Sequence, residues 1–115
     1  MLYLIIGEPR ENVFPMPPEQ LVGFMENTVF PSLESLDRLA REKVVTGGAF
    51  TGKPGLAMIV DVQSHEELNK LLASLPFAPF SKMEVMPLVA FGSQIETMRG
   101  VVQNIKTRGG GQITR

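Results

Sequence analysis

One stretch near the middle of the chain, Asp61 to Leu88, contains a helix whose beginning and end are both specified by the sequence. Ser64 and Glu67 form a Ser-x-x-Glu capping box, in which each side chain accepts a hydrogen bond from a free backbone N–H at the start of a helix. The helix is therefore predicted to begin at about His65. Leucines then recur at helical spacing on one face, and Pro76 ends the helix. These leucines are Leu68, Leu71, Leu72 and Leu75.

The residues that follow this helix predict a strand. Met83 to Val89 is apolar except for Glu84, and it is too short and too closely bounded by helix-breaking residues to form a second helix. Pro87 cannot donate a ladder hydrogen bond, so part of this strand should lie at the edge of a sheet.

A fixed series of residues runs through the same region. It consists of an Asp-Val pair, a capped helix with Glu-Leu and paired leucines, and then Leu-Pro-Phe-x-Pro-Phe and Glu-Val-x-Pro-Leu. The residues are Asp61, Val62, Glu67, Leu68, Leu71, Leu72, Leu75, Pro76, Phe77, Pro79, Phe80, Glu84, Val85, Pro87 and Leu88. In this series the chain resembles the muconolactone delta-isomerase family, and the resemblance covers roughly residues 1–91. It implies a ferredoxin-like fold, isomerisation of a small unsaturated lactone without a cofactor, and assembly into homo-oligomers.

Composition excludes several classes of protein. The chain has 115 residues, of which 43% are hydrophobic and 20% are charged, as expected of one ordinary domain. It has no cysteine and one histidine, which excludes disulfides, thiol nucleophiles and Cys/His metal sites, so no metal is expected. A net charge of -1 argues against nucleic acid as a partner. The apolar runs are too short to cross a membrane and the N-terminus lacks the features of a signal peptide, which together predict a cytoplasmic location.

The first third of the chain predicts a strand, a loop and a helix. Leu2 to Gly7 is typical of a strand buried at the centre of a sheet, and a proline-rich loop follows it. Residues 18–41 then carry an apolar stripe that Pro31 interrupts. This segment predicts one long helix kinked near Phe30, or two helices with a corner there.

A hairpin is predicted next, from Val44 to Phe50 and from Leu56 to Val62. In its first strand, Gly47 and Gly48 indicate a bulge or the close approach of another backbone or a ligand. The order of elements is then βαββαβ, which is the ferredoxin-like arrangement of a four-stranded antiparallel sheet with two helices on one face. The other face should be buried against a second copy, giving a dimeric α+β barrel.

The C-terminal segment predicts a further helix. Its apolar residues repeat at helical spacing, and they are Ile95, Met98, Val101, Val102 and Ile105. We expect this helix either to dock on a neighbouring subunit, as an arm exchanged between protomers, or to pack on its own domain. The chain thus divides into a ferredoxin-like domain at 1–91, a helical arm at 92–107 and a flexible tail at 108–115.

Isomerisation by acid–base chemistry needs a group that removes a proton next to a carbonyl and returns it elsewhere. His65 is better explained as an exposed residue at a helix start, which leaves the carboxylates Glu8 and Glu26 as catalytic candidates. Arg10 is a candidate for binding a substrate carboxylate. The expected pocket lies between the sheet and the first helix, and its lining residues are predicted to be Tyr3, Phe24, Met25, Phe77 and Phe80.

Family members with isomerase activity resemble one another in a histidine in the loop after the first strand and a glutamate within the first long helix. In this chain, Val13 and Phe14 stand where the histidine is expected. Pro31 and Ser32 stand near where the glutamate would align. Two hypotheses therefore stand. The chain is a cofactor-independent isomerase with a carboxylate in a pocket, or it is a non-catalytic oligomeric scaffold or small-ligand-binding protein with a filled interior. A cofactor-free monooxygenase of the dimeric-barrel type is a third possibility, although such enzymes rely on histidine, asparagine or tryptophan, which are scarce here.

Overall fold

The computed structural model describes residues 1–109, which form a four-stranded antiparallel sheet with helices packed on one face. The strands are β1 (Leu2–Pro9), β2 (Val45–Ala49), β3 (Leu56–Asp61) and β4 (Ser81–Leu88). The helices are α1 (Pro18–Phe24), α2 (Phe30–Arg41), α3 (His65–Ala73) and α4 (Phe91–Gly109). Strand order is β2-β3-β1-β4, which confirms the predicted ferredoxin-like arrangement and the C-terminal helix. Most of the predicted tail lies outside the described residues.

Alternation along the central strand β1 decides which face of the sheet is buried. Tyr3 and Ile5 are 2% and 0% exposed and face the helices, whereas Leu4 and Ile6 point to the other side and are half-buried. Ile5 pairs with Met58 on β3 and with Val85 on β4. The sequence predicted burial on both faces of this strand, but within the described chain only the helix-facing side is covered.

The predicted start of α3 is confirmed, with one difference in its cap. The Ser64 hydroxyl accepts a hydrogen bond from the Glu67 backbone N–H at 3.1 Å. The Glu67 carboxylate reaches back one residue further than expected and accepts from the Gln63 N–H at 2.8 Å. Both ends of the capping box therefore satisfy backbone donors that would otherwise be free.

The segment from Pro18 to Arg41 is one continuous helix, which we call the first helix. A π-helical turn, Met25–Val29, joins α1 to α2, and in it the Phe30 N–H donates to the Met25 carbonyl. Pro31 has no N–H, and in a regular α-helix its ring would clash with the carbonyl four residues earlier. The wider π turn immediately before Pro31 relieves this clash, so the segment forms one long helix, as in the first predicted alternative, and not two helices with a corner.

Ser32 connects the first helix to the bend that precedes β4. It is fully buried, and its hydroxyl donates to the Thr28 carbonyl at 2.7 Å and accepts from the Phe77 N–H at 3.0 Å. Because this hydroxyl both donates and accepts a hydrogen bond, its burial leaves no polar atom of Ser32 without a partner. The bend itself contains a short 3₁₀ turn, Ala78–Phe80.

Two surfaces of the described chain are apolar and open. The outward face of the sheet includes Leu4, Ile6 and Ile59, the last of which is 41% exposed. The second surface is α4, because every residue from Val89 to Arg108 is exposed. The radius of gyration is 20.4 Å and the longest dimension 71 Å, whereas a compact domain of this length has a radius of gyration of about 13 Å.

Within residues 1–109, no helix combines the length and apolar character needed to cross a membrane.

Gly47 allows β2 and β3 to approach closely, as the sequence predicted. Its φ is +150°, and a Cβ at this position would lie 2.2 Å from the Ala57 carbonyl oxygen. The neighbouring Gly48 has open space where its Cβ would be. Because strain and a backbone clash act together, Gly47→Ala should lower the free energy of unfolding by at least ~2 kcal/mol.

The matched variant Gly48→Ala should change the unfolding free energy by less than about 1 kcal/mol. Urea denaturation followed by circular dichroism measures both changes. Equal effects of the two variants would contradict the close approach at Gly47.

Candidate functional site

A cavity of about 380 Å³ lies between one end of the sheet and the first helix. Its walls are almost entirely apolar, and the apolar side chains include Val13, Phe14, Leu21, Phe24, Met25, Val29, Leu33, Leu56, Phe77, Phe80 and Met83. Gly7 and Glu8, near the end of β1, also line the cavity. A volume of this size is at the lower end of the range for small-ligand pockets.

The loop after β1 closes one side of the cavity. The Arg10 N–H donates to the Phe80 carbonyl at 2.9 Å and the Val13 N–H donates to the Arg10 carbonyl at 3.1 Å, so the loop is fixed to the 3₁₀ turn. Val13 is buried as a result. Phe24 meets Phe80 edge to face, with ring centroids 5.1 Å apart, which joins the first helix to the same turn.

The charges on the cavity wall belong to Glu8 and Lys53. The Lys53 Nζ lies 3.0 Å from the Glu8 carboxylate, and the two side chains are 63% and 47% exposed. Lys53 also lies over the Phe50 ring, 5.2 Å from its centroid. One carboxylate and one cation therefore meet at the mouth of a cavity that is otherwise apolar.

The structure brings together several of the residues predicted from sequence. Those that line the cavity are Glu8, Phe24, Met25, Phe77 and Phe80. They come from β1, the first helix and the bend before β4, which the βαββαβ order places at one end of the sheet.

Tyr3 and Arg10 lie outside the cavity, contrary to expectation. Tyr3 is in the core near the opposite end of β1, where its hydroxyl hydrogen-bonds His65 Nδ1 and the two rings meet edge to face. Inward-facing residues of a strand repeat every second position. Tyr3 is therefore on the same face of β1 as Gly7, but it lies four residues away from the cavity end of the strand. The Arg10 guanidinium donates to the Pro79 carbonyl at 3.3 Å and supports the loop instead.

Glu26 is also outside the cavity, on the exposed side of the first helix. Phe24 and Met25 turn towards the cavity, and the next residue is rotated away by about 100°. Its proximity to apolar residues in the sequence therefore does not produce burial.

Lys53 is the site residue that the sequence analysis missed. The register pairs Gly7 with Leu56, so the turn before Leu56 reaches the end of β1 next to Glu8. The neighbour of Glu8 follows from the register between β3 and β1. The local sequence does not specify that register, so Lys53 could not be identified as the neighbour.

Comparison with known proteins agrees with this architecture. The sequence model of the family described as muconolactone delta-isomerase matches residues 23–94, which is more than half of the chain. The chain belongs to the muconolactone delta-isomerase family. A muconolactone Delta-isomerase of Rhodococcus opacus is 42% identical over 38 residues, a segment that covers 33% of this chain and 41% of that relative.

Two solved structures are similar in fold. A crystal structure of muconolactone isomerase has 25% sequence identity and a TM-score of 0.63, covering 78% of this chain and 90% of its own. The 5-chloro-2-hydroxyhydroquinone dehydrochlorinase of Burkholderia phenoliruptrix, in complex with 2,5-dihydroxybenzoquinone, has 24% identity and a TM-score of 0.52, covering 77% and 94%. At that identity the second similarity shows the fold alone.

The pair of Glu8 and Lys53 should contribute little to stability. Exposed ion pairs are worth about 0–1 kcal/mol, and methionine keeps most of the aliphatic length of the lysine side chain but removes the Nζ that lies over Phe50. We therefore expect Lys53→Met to change the free energy of unfolding by less than about 1 kcal/mol, as measured by urea denaturation. Lys70→Met, on the exposed side of α3, is the matched control. A loss well above that of the control would mean that the pair maintains the fold of the hairpin turn.

Proposed function

We propose that this protein is a cofactor-independent isomerase that moves a proton within a small unsaturated lactone or a related organic acid, with Glu8 as the acid–base group. The observation that carries this proposal is the position of Glu8, whose carboxylate lies at the mouth of an apolar cavity that has room for a small ring. Membership of the muconolactone delta-isomerase family supports the reaction class.

The proposed step needs one group that alternates between base and acid. The Glu8 carboxylate takes a proton from the saturated ring carbon that the double bond conjugates with the lactone carbonyl, and the C–H electron pair moves into the conjugated system. Protonated Glu8 then returns a proton to the ring carbon next to the carbonyl. The double bond moves, and no atom is gained or lost, so neither an oxidant nor a leaving group is required.

Lys53 has the charge and the position to assist. Its ammonium lies 3.0 Å from Glu8 at the cavity mouth, where it can attract a substrate carboxylate or stabilise the negative charge that develops on the lactone oxygen. The apolar walls would hold the ring and exclude water from it.

Binding without chemistry is the second candidate function. The specific observation in its favour is that Glu8 is half-exposed and paired, with Glu26 outside the cavity. A protein of this kind would take a small apolar ring into the cavity and release it unchanged.

Glu8→Gln tests the proposed reaction, because glutamine keeps the shape of the side chain and cannot accept the proton. We expect kcat for muconolactone to fall by at least about a hundredfold, a loss typical of removing a general base. Proton NMR in deuterium oxide measures turnover and the exchange of the abstracted proton. Glu11→Gln, which changes an exposed carboxylate in the same loop, is the matched control and should retain the wild-type rate.

Two results would overturn this assignment. A Glu8→Gln variant with the control's rate would remove Glu8 from the mechanism. Saturable binding by calorimetry together with no turnover by the unaltered protein would favour the binding function.

We also propose that the chain forms a homo-oligomer through the outward face of its sheet. The apolar side chains Leu4, Ile6 and Ile59 lie on this face, and a continuous apolar surface of this kind is characteristic of a contact between subunits. The resulting arrangement would be the dimeric α+β barrel expected from the sequence.

Ile59→Lys should lower the molar mass in solution, because it places a charge in the centre of this contact. Light scattering coupled to size exclusion measures the mass, and circular dichroism verifies that the variant is folded. Gln63→Lys introduces the same charge at an exposed position beyond the end of β3 and should leave the mass unchanged. An unchanged mass for Ile59→Lys would exclude this face as the interface.

A further inference from the structure

The cavity has few polar side chains. Among the described residues that line it, the side chains with nitrogen or oxygen atoms belong to Glu8, Lys53 and Ser81. The Ser81 hydroxyl donates its single proton to the Phe77 carbonyl at 2.9 Å. Lys53 has three N–H donors, and its hydrogen bond to Glu8 uses one of them. In the described cavity wall, Lys53 is therefore the side chain that has hydrogen-bond donors left for a ligand.

The turn between β2 and β3 holds Lys53 at the end of β1. The Phe50 N–H donates to the Gly55 carbonyl at 2.9 Å, which closes the turn, and the Lys53 ammonium lies over the Phe50 ring. Gly55 has a φ of +137°, and a Cβ there would lie 2.8 Å from the Gly7 carbonyl oxygen. Because Gly55 has no side chain, the turn can pack directly against β1. The cation is thus fixed beside Glu8 at the cavity mouth.

Three aromatic rings form a different part of the cavity wall. Phe24 meets Phe80 edge to face, and it also meets Phe14 with ring centroids 6.4 Å apart. Phe80 directly precedes β4, which pairs with β1 on the side opposite β3. The turn that carries Lys53 joins β2 to β3. The cavity therefore has a charged side and an aromatic side, with the end of β1 between them.

The proposed function makes a specific demand on Lys53, and the present inference rests on that function. When Glu8 removes the ring proton, negative charge develops on the lactone oxygen, and a nearby cation stabilises it. The Lys53 ammonium lies 3.0 Å from the Glu8 carboxylate, so it is close to the base as well. The reacting ring must then lie at the cavity mouth, with its carbonyl towards Lys53 and its substituent towards the aromatic side.

A second charged group on the substrate has no partner in this arrangement. A carboxylate on the substituent would lie among Phe14, Phe24 and Phe80, where no described side chain can donate a hydrogen bond to it. Burial of an unpaired charge is strongly unfavourable. If the carboxylate instead bound Lys53, the lactone oxygen would lose its cation. Muconolactone, which carries a carboxymethyl group on its lactone ring, has both of these groups.

The cavity volume limits the size of the substituent. At about 30 Å³ for each molecule of liquid water, the volume of about 380 Å³ holds about a dozen groups of that size, and a methylene group is of similar size. A lactone ring with its carbonyl oxygen fills about half of this space, which leaves room for about six carbon atoms.

We propose that the substrate has a single polar end. It is an unsaturated γ-lactone whose ring lies beside Glu8 and Lys53 and whose substituent is an uncharged apolar group of about four to six carbon atoms. This substituent fills the aromatic side of the cavity and displaces water from it. The proton moves between two carbons of the ring, so the substituent takes no part in the reaction.

Two saturated lactones test the polarity of the site without turnover. γ-Isobutyl- and γ-carboxymethyl-butyrolactone have substituents of nearly the same shape, but only the second is charged. We expect the isobutyl compound to bind the unaltered protein at least about tenfold more tightly in isothermal titration calorimetry. Equal affinities, or tighter binding of the carboxymethyl compound, would overturn the proposal.

The length of the substituent provides a second binding test. Replacing γ-methyl by γ-butyl should tighten binding at least about tenfold, because each buried methylene contributes about fourfold. Beyond about six carbons the affinity should stop rising, because the cavity is then full. An affinity that does not change between methyl and butyl would show that the substituent lies in solvent, which contradicts the proposal.

Met25→Lys tests the position of the substituent. Met25 lines the cavity and is 39% exposed, so a lysine there can extend into the cavity from the first helix. We expect this variant to bind the carboxymethyl compound at least about tenfold more tightly than the unaltered protein does, and the isobutyl compound less tightly. Asn27→Lys adds the same charge to the same helix outside the cavity and should leave both affinities unchanged. Equal effects of the two variants would contradict the proposed position.

Turnover of the corresponding unsaturated lactones separates this inference from the proposed function. We expect kcat/KM for the γ-isobutyl butenolide to exceed that for muconolactone by at least about tenfold, as measured by proton NMR. Turnover of muconolactone at an equal or higher kcat/KM would overturn the single polar end and leave the isomerase activity in place. A preference for the isobutyl compound in binding, with no turnover of either lactone, would overturn the proposed function and support the ligand class.

Discussion

The register of β1 between β3 and β4 determines where every other part of the molecule lies. Ile5, fully buried, pairs with Met58 on one side and Val85 on the other, and this alignment gives the sheet one covered and one open face. A slip by one residue would exchange the two faces of the strand. The same alignment brings the β2–β3 turn to Glu8 at one end of the sheet and directs α4 away from the other end.

Local signals in the sequence were sufficient for the regular elements. The Ser64 hydroxyl and the Glu67 carboxylate act within a few residues, and so the start of α3 followed from their spacing alone. Gly47 was similarly informative, because a glycine within a strand implies a space that a side chain would fill. The βαββαβ order then gave the topology, since few arrangements connect these elements without crossing.

Features that depend on contacts between distant segments were not predictable in this way. The pairing of Glu8 with Lys53 requires knowing which residue of β3 lies beside Gly7. Tyr3 was expected in the pocket between the sheet and the first helix, whereas its position along β1 puts it beside His65. Pro31 correctly indicated an irregular helix, but the π turn at Met25–Val29 that accommodates it has no signal of its own in the local sequence.

The buried hydroxyl of Ser32 also restricts how the cavity can open. It connects the first helix to Phe77, which also lines the cavity, and separating the two would leave the part-buried Phe77 N–H without its acceptor, at a cost of up to about 1–3 kcal/mol. The two walls therefore move together. Under the proposed function, a ligand would enter and leave by movement of the loop of residues 10–17, which is attached by the Arg10 hydrogen bonds to the 3₁₀ turn and by the buried side chain of Val13.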